Sequence, residues 1–147
     1  MPNSARNACN DIFERFWQEI LRFSRRTESQ INHWAARYGY KDRGEEILKE
    51  AKHGANGRYA CINLTNTDTI EFRVFRGTLK YNTVIATLQF VANLCRVAIS
   101  LPEYRIQEFS WPALIEALTQ DNCPELVQYL KERNLYVNEP VTAEREV

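Results

Sequence analysis

The chain has 147 residues, of which 44% are apolar and 26% are charged, and this is the size and composition of one globular domain. Nineteen lysines and arginines balance nineteen aspartates and glutamates, so the formal net charge is zero. The charge balance excludes a long-range field that would attract nucleic acid or an anionic membrane. The apolar fraction excludes global disorder.

The first predicted elements are helices. Apolar residues recur at helical spacing from Ile12 to Leu21, which predicts one amphipathic helix. The polar sequence Ser24-Arg25-Arg26 interrupts this pattern. Thr27 and Gln30 have the spacing of a capping box and begin a second predicted helix. A third, short helix is predicted from Glu45 to Lys52.

Basic residues are concentrated in this helical half of the chain. With a net charge of zero, they are interpreted as a solvated face and not as a nucleic-acid site. They are Arg22, Arg25, Arg26, Arg37, Lys41 and Arg43.

The middle of the chain has the period of β-structure. Residues 59–64 and 70–75 alternate between apolar and other side chains, which predicts two half-buried strands. The sequence Thr-Asn-Thr-Asp at 65–68 is typical of a turn, so a β-hairpin is predicted. The period of two places Glu71 and Arg73 on the same face of the second strand.

The last third of the chain predicts helices again. The longest helix begins at Asn82 or Thr83 and ends at Leu101-Pro102. Residues 105–109 are predicted as a third strand or a loop. Two further helices begin near Ser110 and Pro124. The apolar face of the longest helix is formed by Val84, Leu88, Val91, Cys95 and Ala98.

The predicted fold class is α+β, a mostly helical domain packed on a small antiparallel sheet that is built around one β-hairpin. Residues 1–137 form this single domain, and residues 138–147 form a polar tail. No apolar run is expected to reach transmembrane length, and the polar N-terminus has no signal-peptide pattern. The expected location is the cytoplasm.

Four cysteines are scattered along the chain without a close pair. Structural zinc sites use closely spaced ligands, so this spacing argues against zinc. Buried free thiols in a reducing compartment are expected instead. The four residues are Cys9, Cys61, Cys95 and Cys123.

The predicted hairpin carries the most specific sequence pattern of the chain. Residues 58–64, followed by T-x-E-F-R-x-F-R-G-T-L at 69–79, resemble the amidoligase family. That family is similar to the superfamily of glutamine synthetase and glutamate–cysteine ligase. A weaker likeness includes Phe23-Ser24-Arg25-Arg26, and the resemblance extends from Phe13 to Ala98. It implies the C-terminal part of the family's fold, and an activity that joins a carboxylate to an amine with ATP and magnesium.

The resemblance also implies roles for individual residues. Glu71 matches the family's metal-binding glutamate and is the candidate magnesium ligand. Arg58, Arg73 and Arg76 match arginines that hold phosphate or a substrate carboxylate, because the guanidinium fork binds such oxygens in pairs. The alternative interpretation is a cross-strand charge cluster that contributes only a fraction of a kcal/mol.

The chain departs from the family pattern in its carboxylates. Magnesium needs several oxygen ligands, and the family typically supplies some from an earlier strand with alternating glutamates. Here the first fifty residues predict helices, and the only Glu-x-Glu sequence is Glu144-Arg145-Glu146. The sequence therefore predicts a half-built nucleotide site.

Two functions follow from this departure. The first is a non-catalytic, truncated amidoligase-like interaction module that needs no cofactor and binds another protein. By analogy with proteins of phages and mobile elements, it would be an inhibitor such as an anti-CRISPR protein that acts on a CRISPR effector nuclease. The alternative is an ATP/Mg-dependent carboxylate–amine ligase, complete only with a partner or as a homo-oligomer. Neither nucleic acid nor a membrane is expected as a direct partner.

Overall fold

The computed structural model describes residues 3–34, 61–63 and 69–136. Helices dominate this part of the chain, as the sequence predicts. The predicted helix Glu45–Lys52, Arg58 and the tail 138–147 lie outside the described residues. The described elements are α1 (Asn3–Arg15), α2 (Trp17–Ser24), α3 (Glu28–Trp34), β1 (Ile62–Asn63), β2 (Glu71–Phe72), α4 (Tyr81–Ser100), α5 (Glu103–Gln107), α6 (Trp111–Leu118) and α7 (Pro124–Glu132).

The first predicted helix is in fact two helices that meet at Phe16. Phe16 has φ −110° and ψ 37°, which lies outside the helical region. Helix α1 begins nine residues before Ile12, at Asn3. This extension was not predicted because it contains polar residues, among them Asn7 and Asn10, which the fold nevertheless buries.

The capping box at the start of α3 is confirmed. The backbone N–H of Gln30 donates to Oγ1 of Thr27 over 3.2 Å. In return, the backbone N–H of Thr27 donates to Oε1 of Gln30 over 3.2 Å. These reciprocal bonds satisfy two donors that a helix N-terminus leaves without a partner inside the helix.

The predicted sheet is reduced to a short antiparallel ladder. Ile62 lies opposite Phe72, and Asn63 lies opposite Glu71. One further bond runs from the Arg73 N–H to the Cys61 carbonyl over 2.8 Å. A small sheet on which the helices pack is therefore not supported. The predicted turn at 65–68 lies outside the described residues.

The chain leaves the ladder after Arg73 because other groups take the next backbone partners. The Arg26 guanidinium donates to the carbonyls of Val74 and Phe75. The Arg76 N–H donates to the Ser24 carbonyl over 3.0 Å. The prediction of a third strand or a loop at 105–109 is also wrong, because most of this segment belongs to helix α5.

Helix α4 confirms the predicted boundaries to within one or two residues, yet it buries a different face. It packs against α7 and α1. Of the predicted face, only Ala98 is buried. Val84 and Leu88 are exposed. The buried residues are Thr83, Ala86, Phe90, Leu94, Val97 and Ala98.

An apolar stripe therefore remains exposed along α4. We call it the α4 stripe and define it as Tyr81, Val84, Leu88 and Ile99, all of which are exposed. Their spacing places them on one side of a helix about 30 Å long.

By length and composition, α4 is also long and apolar enough to cross a membrane, contrary to the expectation from sequence. The mean hydropathy of its apolar window is 1.5, and a third of that window, 33%, is buried inside the fold. The helix packs against α1 and α7, and one helix of this length and composition is weak evidence for a membrane span.

The core between α2, α4 and α7 centres on the ring of Phe23. The Phe23 ring centroid lies 4.5 Å from that of Phe90 and 4.7 Å from that of Tyr129. The Tyr129 hydroxyl donates to the Phe23 carbonyl over 2.6 Å. The same contacts fix the end of α2, where Ser24 and the two arginines after it lie.

The predicted helix starts at Ser110 and Pro124 are confirmed. Ser110 is the N-cap of α6, and its hydroxyl accepts from the Ala113 N–H over 3.3 Å. Pro124 is the first residue of α7, a position where a missing N–H costs nothing. Trp111 anchors the end of the described chain, because its indole N–H donates to the Leu135 carbonyl.

Candidate functional site

Glu71 and Arg73 lie together on the surface at β2, as the period of two predicts. Nη1 of Arg73 donates to Oε1 of Glu71 over 2.8 Å. The Arg73 side chain is 27% exposed and the Glu71 side chain is 45% exposed. An ion pair at this exposure contributes little to stability, and both side chains are partly exposed to solvent.

The two segments that carry the resemblance meet in the fold. Helix α2 ends at Ser24, whose hydroxyl donates to the Leu21 carbonyl. From there, the Arg25 Nη2 donates to the Arg76 carbonyl over 2.6 Å. The Arg26 Nε donates to the Val74 carbonyl over 3.0 Å. These bonds, made from one short segment to the other, hold residues 24–26 against residues 74–76.

A polar groove of about 530 Å³ opens beside this junction. We call it the arginine groove. Its lining comes from α2, from the segments that follow α2 and β2, and from the end of α7. The lining residues are Gln18, Leu21, Arg22, Arg25, Arg26, Thr27, Arg76 and Arg133. The candidate Arg76 thus lies in the groove, next to arginines that the sequence interpretation assigned to a solvated face.

The charges around Arg26 affect its own ionisation. Burial lowers the Arg26 pKa, and the neighbouring charges of Arg73, Arg76 and Arg25 lower it further. Both causes act in the same direction, because burial and like charges disfavour the charged form. This places Arg73 of the surface pair within the electrostatic reach of the groove.

Two arginines of the resemblance were misinterpreted from sequence. Arg25 and Arg26 are half-buried and bonded, and they are not a solvated face. Tyr129 belongs to α7 and Arg133 follows this helix, in a part of the chain where no sequence pattern indicated a site. Arg133 donates through Nε and Nη2 to the Arg22 carbonyl. The contact of Arg133 with α2 is visible only in the three-dimensional structure.

The cysteines are free, as predicted. Cys9, Cys61 and Cys123 are buried, and Cys95 is half-buried. A hydrogen bond from Cys9 lowers the Cys95 pKa to about 7, whereas the same bond and burial raise the Cys9 pKa. Across residues 3–34, 61–63 and 69–136, no group of three or more His, Cys, Asp or Glu side chains is placed to hold a metal ion.

Residues 2–95 match the model of a family described as "Putative amidoligase enzyme". No curated protein and no solved structure matches the chain. The matched residues include Glu71, Arg73 and Arg76, and they end before α7 and Arg133.

Proposed function

Since the chain belongs to the amidoligase family, we propose that it is an ATP- and magnesium-dependent ligase that joins a carboxylate to an amine, or the amidoligase-like part of one. The observation that carries the proposal is the family match over residues 2–95. The correspondence to the C-terminal part of the family's fold, and the relation to the glutamine synthetase superfamily, are parts of the same proposal.

The phosphate side of the proposed activity is supported by the arrangement of the arginines. Transfer through an acyl phosphate spreads negative charge over several oxygens, and fixed guanidinium groups stabilise such charge. Arg73 is paired with Glu71 at the surface, and Arg76 lines the arginine groove. In our proposal, Arg73 and Arg76 hold the phosphate or the substrate carboxylate, and Glu71 orients Arg73.

The part of the chain that the structure describes does not supply a complete set of magnesium ligands. Glu71 is the candidate ligand, and no cluster of three ligand-type side chains surrounds it in the described ranges. Magnesium bound by a protein usually has one or two carboxylates together with phosphate oxygens and waters. Glu71 supplies one carboxylate, and a second one would come from outside the described ranges, where the sequence carries Asp42, Glu45, Glu46 and Glu50.

Thermal unfolding with and without Mg-ATP tests the ligase proposal. At a ligand concentration about a hundred times Kd, the native protein should gain about 2.7 kcal/mol. This gain should raise the midpoint by several degrees. The rise should require magnesium and should be lost in Arg73→Ala and in Glu71→Gln. Release of ADP that depends on both an added carboxylate and an added amine is the second readout.

Asp121→Asn is the matched control for this experiment. Asp121 is an exposed carboxylate paired with an arginine, Arg96, at 3.7 Å, and it belongs to the segment between α6 and α7. Its variant should keep the full response to Mg-ATP. If Glu71→Gln responds like Asp121→Asn, Glu71 is not a metal ligand. If the native protein gives no response at saturating nucleotide, the ligase proposal fails.

The α4 stripe favours a second candidate function, that of an interaction module, and we propose that its partner is a second copy of the chain. An antiparallel pair of α4 helices centred near residue 90 would place Leu88 opposite the small Ala92 and Tyr81 opposite Ile99. A surface that is apolar along its whole length suits such a two-fold interface, in which the same surface serves both copies.

Light scattering after size exclusion tests this pairing. The native protein should elute with the mass of a dimer, and Leu88→Glu should elute as a monomer because it places a charge in the centre of the apolar contact. Asn82→Glu changes an exposed residue that lies off the stripe and should remain dimeric. A native monomer at high concentration would refute the pairing.

The finer predictions have no support beyond analogy. Nothing in the family match or in the described residues favours an inhibitor of a CRISPR effector nuclease. That role stays a prediction, as does the cytoplasmic location.

A further inference from the structure

The arginine groove concentrates positive charge without a carboxylate. Five of its eight lining residues are arginines, and the other three are Gln18, Leu21 and Thr27. They converge from three separate parts of the chain. Arg133 follows the last helix, α7, beyond the residues that match the family. The groove is thus a product of the whole fold and not of the family motif alone.

The guanidinium groups of the groove bond only to neutral acceptors among the described residues. Arg25 donates to the Tyr129 hydroxyl and the Arg76 carbonyl. Arg26 donates to two backbone carbonyls, and Arg133 donates to one. Such bonds fix the side chains in place and leave their charges uncompensated.

The ion pairs of the described chain lie elsewhere. Arg15 pairs with Asp11, and Arg96 pairs with Asp121. Arg73 pairs with Glu71 beside the groove. Like charges held together without a counter-ion oppose the compact state, so this arrangement points to an anion.

The backbone conformation of Arg25 is an independent indication that the contacts of its side chain matter at this position. Arg25 ends α2 in the left-handed region, with φ 64° and ψ 17°. Glycine or asparagine is favoured at such a helix end, and an arginine there carries a steric cost. The side chain of Arg25 compensates by crossing to Tyr129 and Arg76, which fixes its guanidinium at the groove.

We propose that the arginine groove binds a chain of two or three linked phosphates, either free or carried by a nucleotide. One phosphate group carries at most two charges, fewer than the five arginines supply, whereas a triphosphate spans more of them. Arginine is suited to these oxygens because its planar fork donates two parallel hydrogen bonds. This site shares Arg76 with the proposed function and rests on it in that respect. It deepens that function by naming the phosphate chain as the ligand and by adding Arg22, Arg25, Arg26 and Arg133, to which the proposed function gives no role.

Nucleic acid fits the groove less well. The net charge of the chain is zero, and the groove has no aromatic lining residue on which a base would stack.

Isothermal titration with inorganic triphosphate, without magnesium and at low salt, tests the site. The informative variants are Arg22→Gln and Arg76→Gln, because neither side chain makes a hydrogen bond in the described structure. Each removes one charge and should weaken binding by about tenfold to a hundredfold. Affinity should also fall as salt rises. Arg105→Gln, an exposed arginine outside the groove, should bind like the native protein.

Comparison ligands identify what the groove recognises. ATP that binds as tightly as triphosphate, with the same loss in both variants, supports a site for the phosphate chain. Tighter binding of ATP also supports it and adds a contact to the nucleoside. Inorganic phosphate or citrate that matches triphosphate would overturn the proposal. So would equal losses in Arg22→Gln and Arg105→Gln, or the absence of binding.

These results separate the site from the ligase. Triphosphate binding that survives Glu71→Gln supports the groove even if no magnesium-dependent response to ATP is found. Conversely, a magnesium-dependent response that Arg22→Gln leaves intact, together with no triphosphate binding, would overturn the groove and leave the ligase proposal standing.

Discussion

Replacing Phe23 with alanine is expected to lower the free energy of unfolding by about 3–5 kcal/mol. The Phe23 side chain is 1% exposed. Its ring packs against those of Phe90, Tyr129 and Phe75, with centroids 4.5, 4.7 and 5.7 Å away. Alanine would leave a cavity between α2, α4 and α7 that these rings can fill only in part. Urea unfolding measures the loss as a lower midpoint at an unchanged slope.

Two further variants make this expectation specific. Phe23→Leu should cost less than Phe23→Ala because it keeps more of the buried volume. Leu79→Ala removes a large apolar side chain that is fully exposed, so its unfolding midpoint should not change. If Phe23→Ala unfolded at the same urea concentration as Leu79→Ala, the packing described around Phe23 would be wrong.

Local signals account for what the sequence predicted correctly. The capping box of Thr27 and Gln30, the N-cap at Ser110 and the proline at the start of α7 are each decided by bonds within one turn. The pairing of Glu71 with Arg73 follows from the alternation of side chains along an extended segment. None of these features depends on distant parts of the chain.

The buried face of α4 could not be predicted from its pattern, because apolar residues surround much of the helix. Val84 and Leu88 have the spacing of a core face, as do Phe90 and Leu94. Packing of α1 and α7 decides between these faces, and it selects the second. The hydrophobic pattern therefore predicted the helix and left its orientation open.

The candidate site divides in the same way. Sequence reasoning selected Arg73 and Arg76 as candidates, and both lie within one motif. It included Arg25 and Arg26 in the weaker likeness but did not predict their contacts with that motif, because about fifty residues separate them from it. Arg133 is still further away along the chain. The short ladder has the same cause. Backbone groups that would continue a sheet instead bond to the end of α2, so the motif is held by a helix end and by arginine side chains.

Replacing Tyr129 with phenylalanine should lower the free energy of unfolding by about 1–3 kcal/mol, because it leaves buried polar groups without a partner. The Tyr129 hydroxyl donates to the Phe23 carbonyl over 2.6 Å and accepts from the Arg25 Nε over 3.0 Å. The variant should also weaken triphosphate binding at the groove, since Arg25 loses one of its two anchors. Tyr104→Phe, at an exposed tyrosine, is the control and should change neither property.

The dependence of this loss on pH provides a sharper check. Burial raises the Tyr129 pKa, and the charge and hydrogen bond of Arg25 lower it by less. An unfolded tyrosine titrates near pH 10, so the folded protein keeps its proton to a higher pH. The contribution of the hydroxyl is then complete below about pH 10 and is lost as pH rises through the folded pKa. The stability difference between the native protein and Tyr129→Phe should therefore narrow above pH 10. A stability difference that stays constant above pH 10 would show that the Tyr129 hydroxyl does not titrate from the buried position described. The hydrogen bond from Arg25 to this hydroxyl would then be wrong.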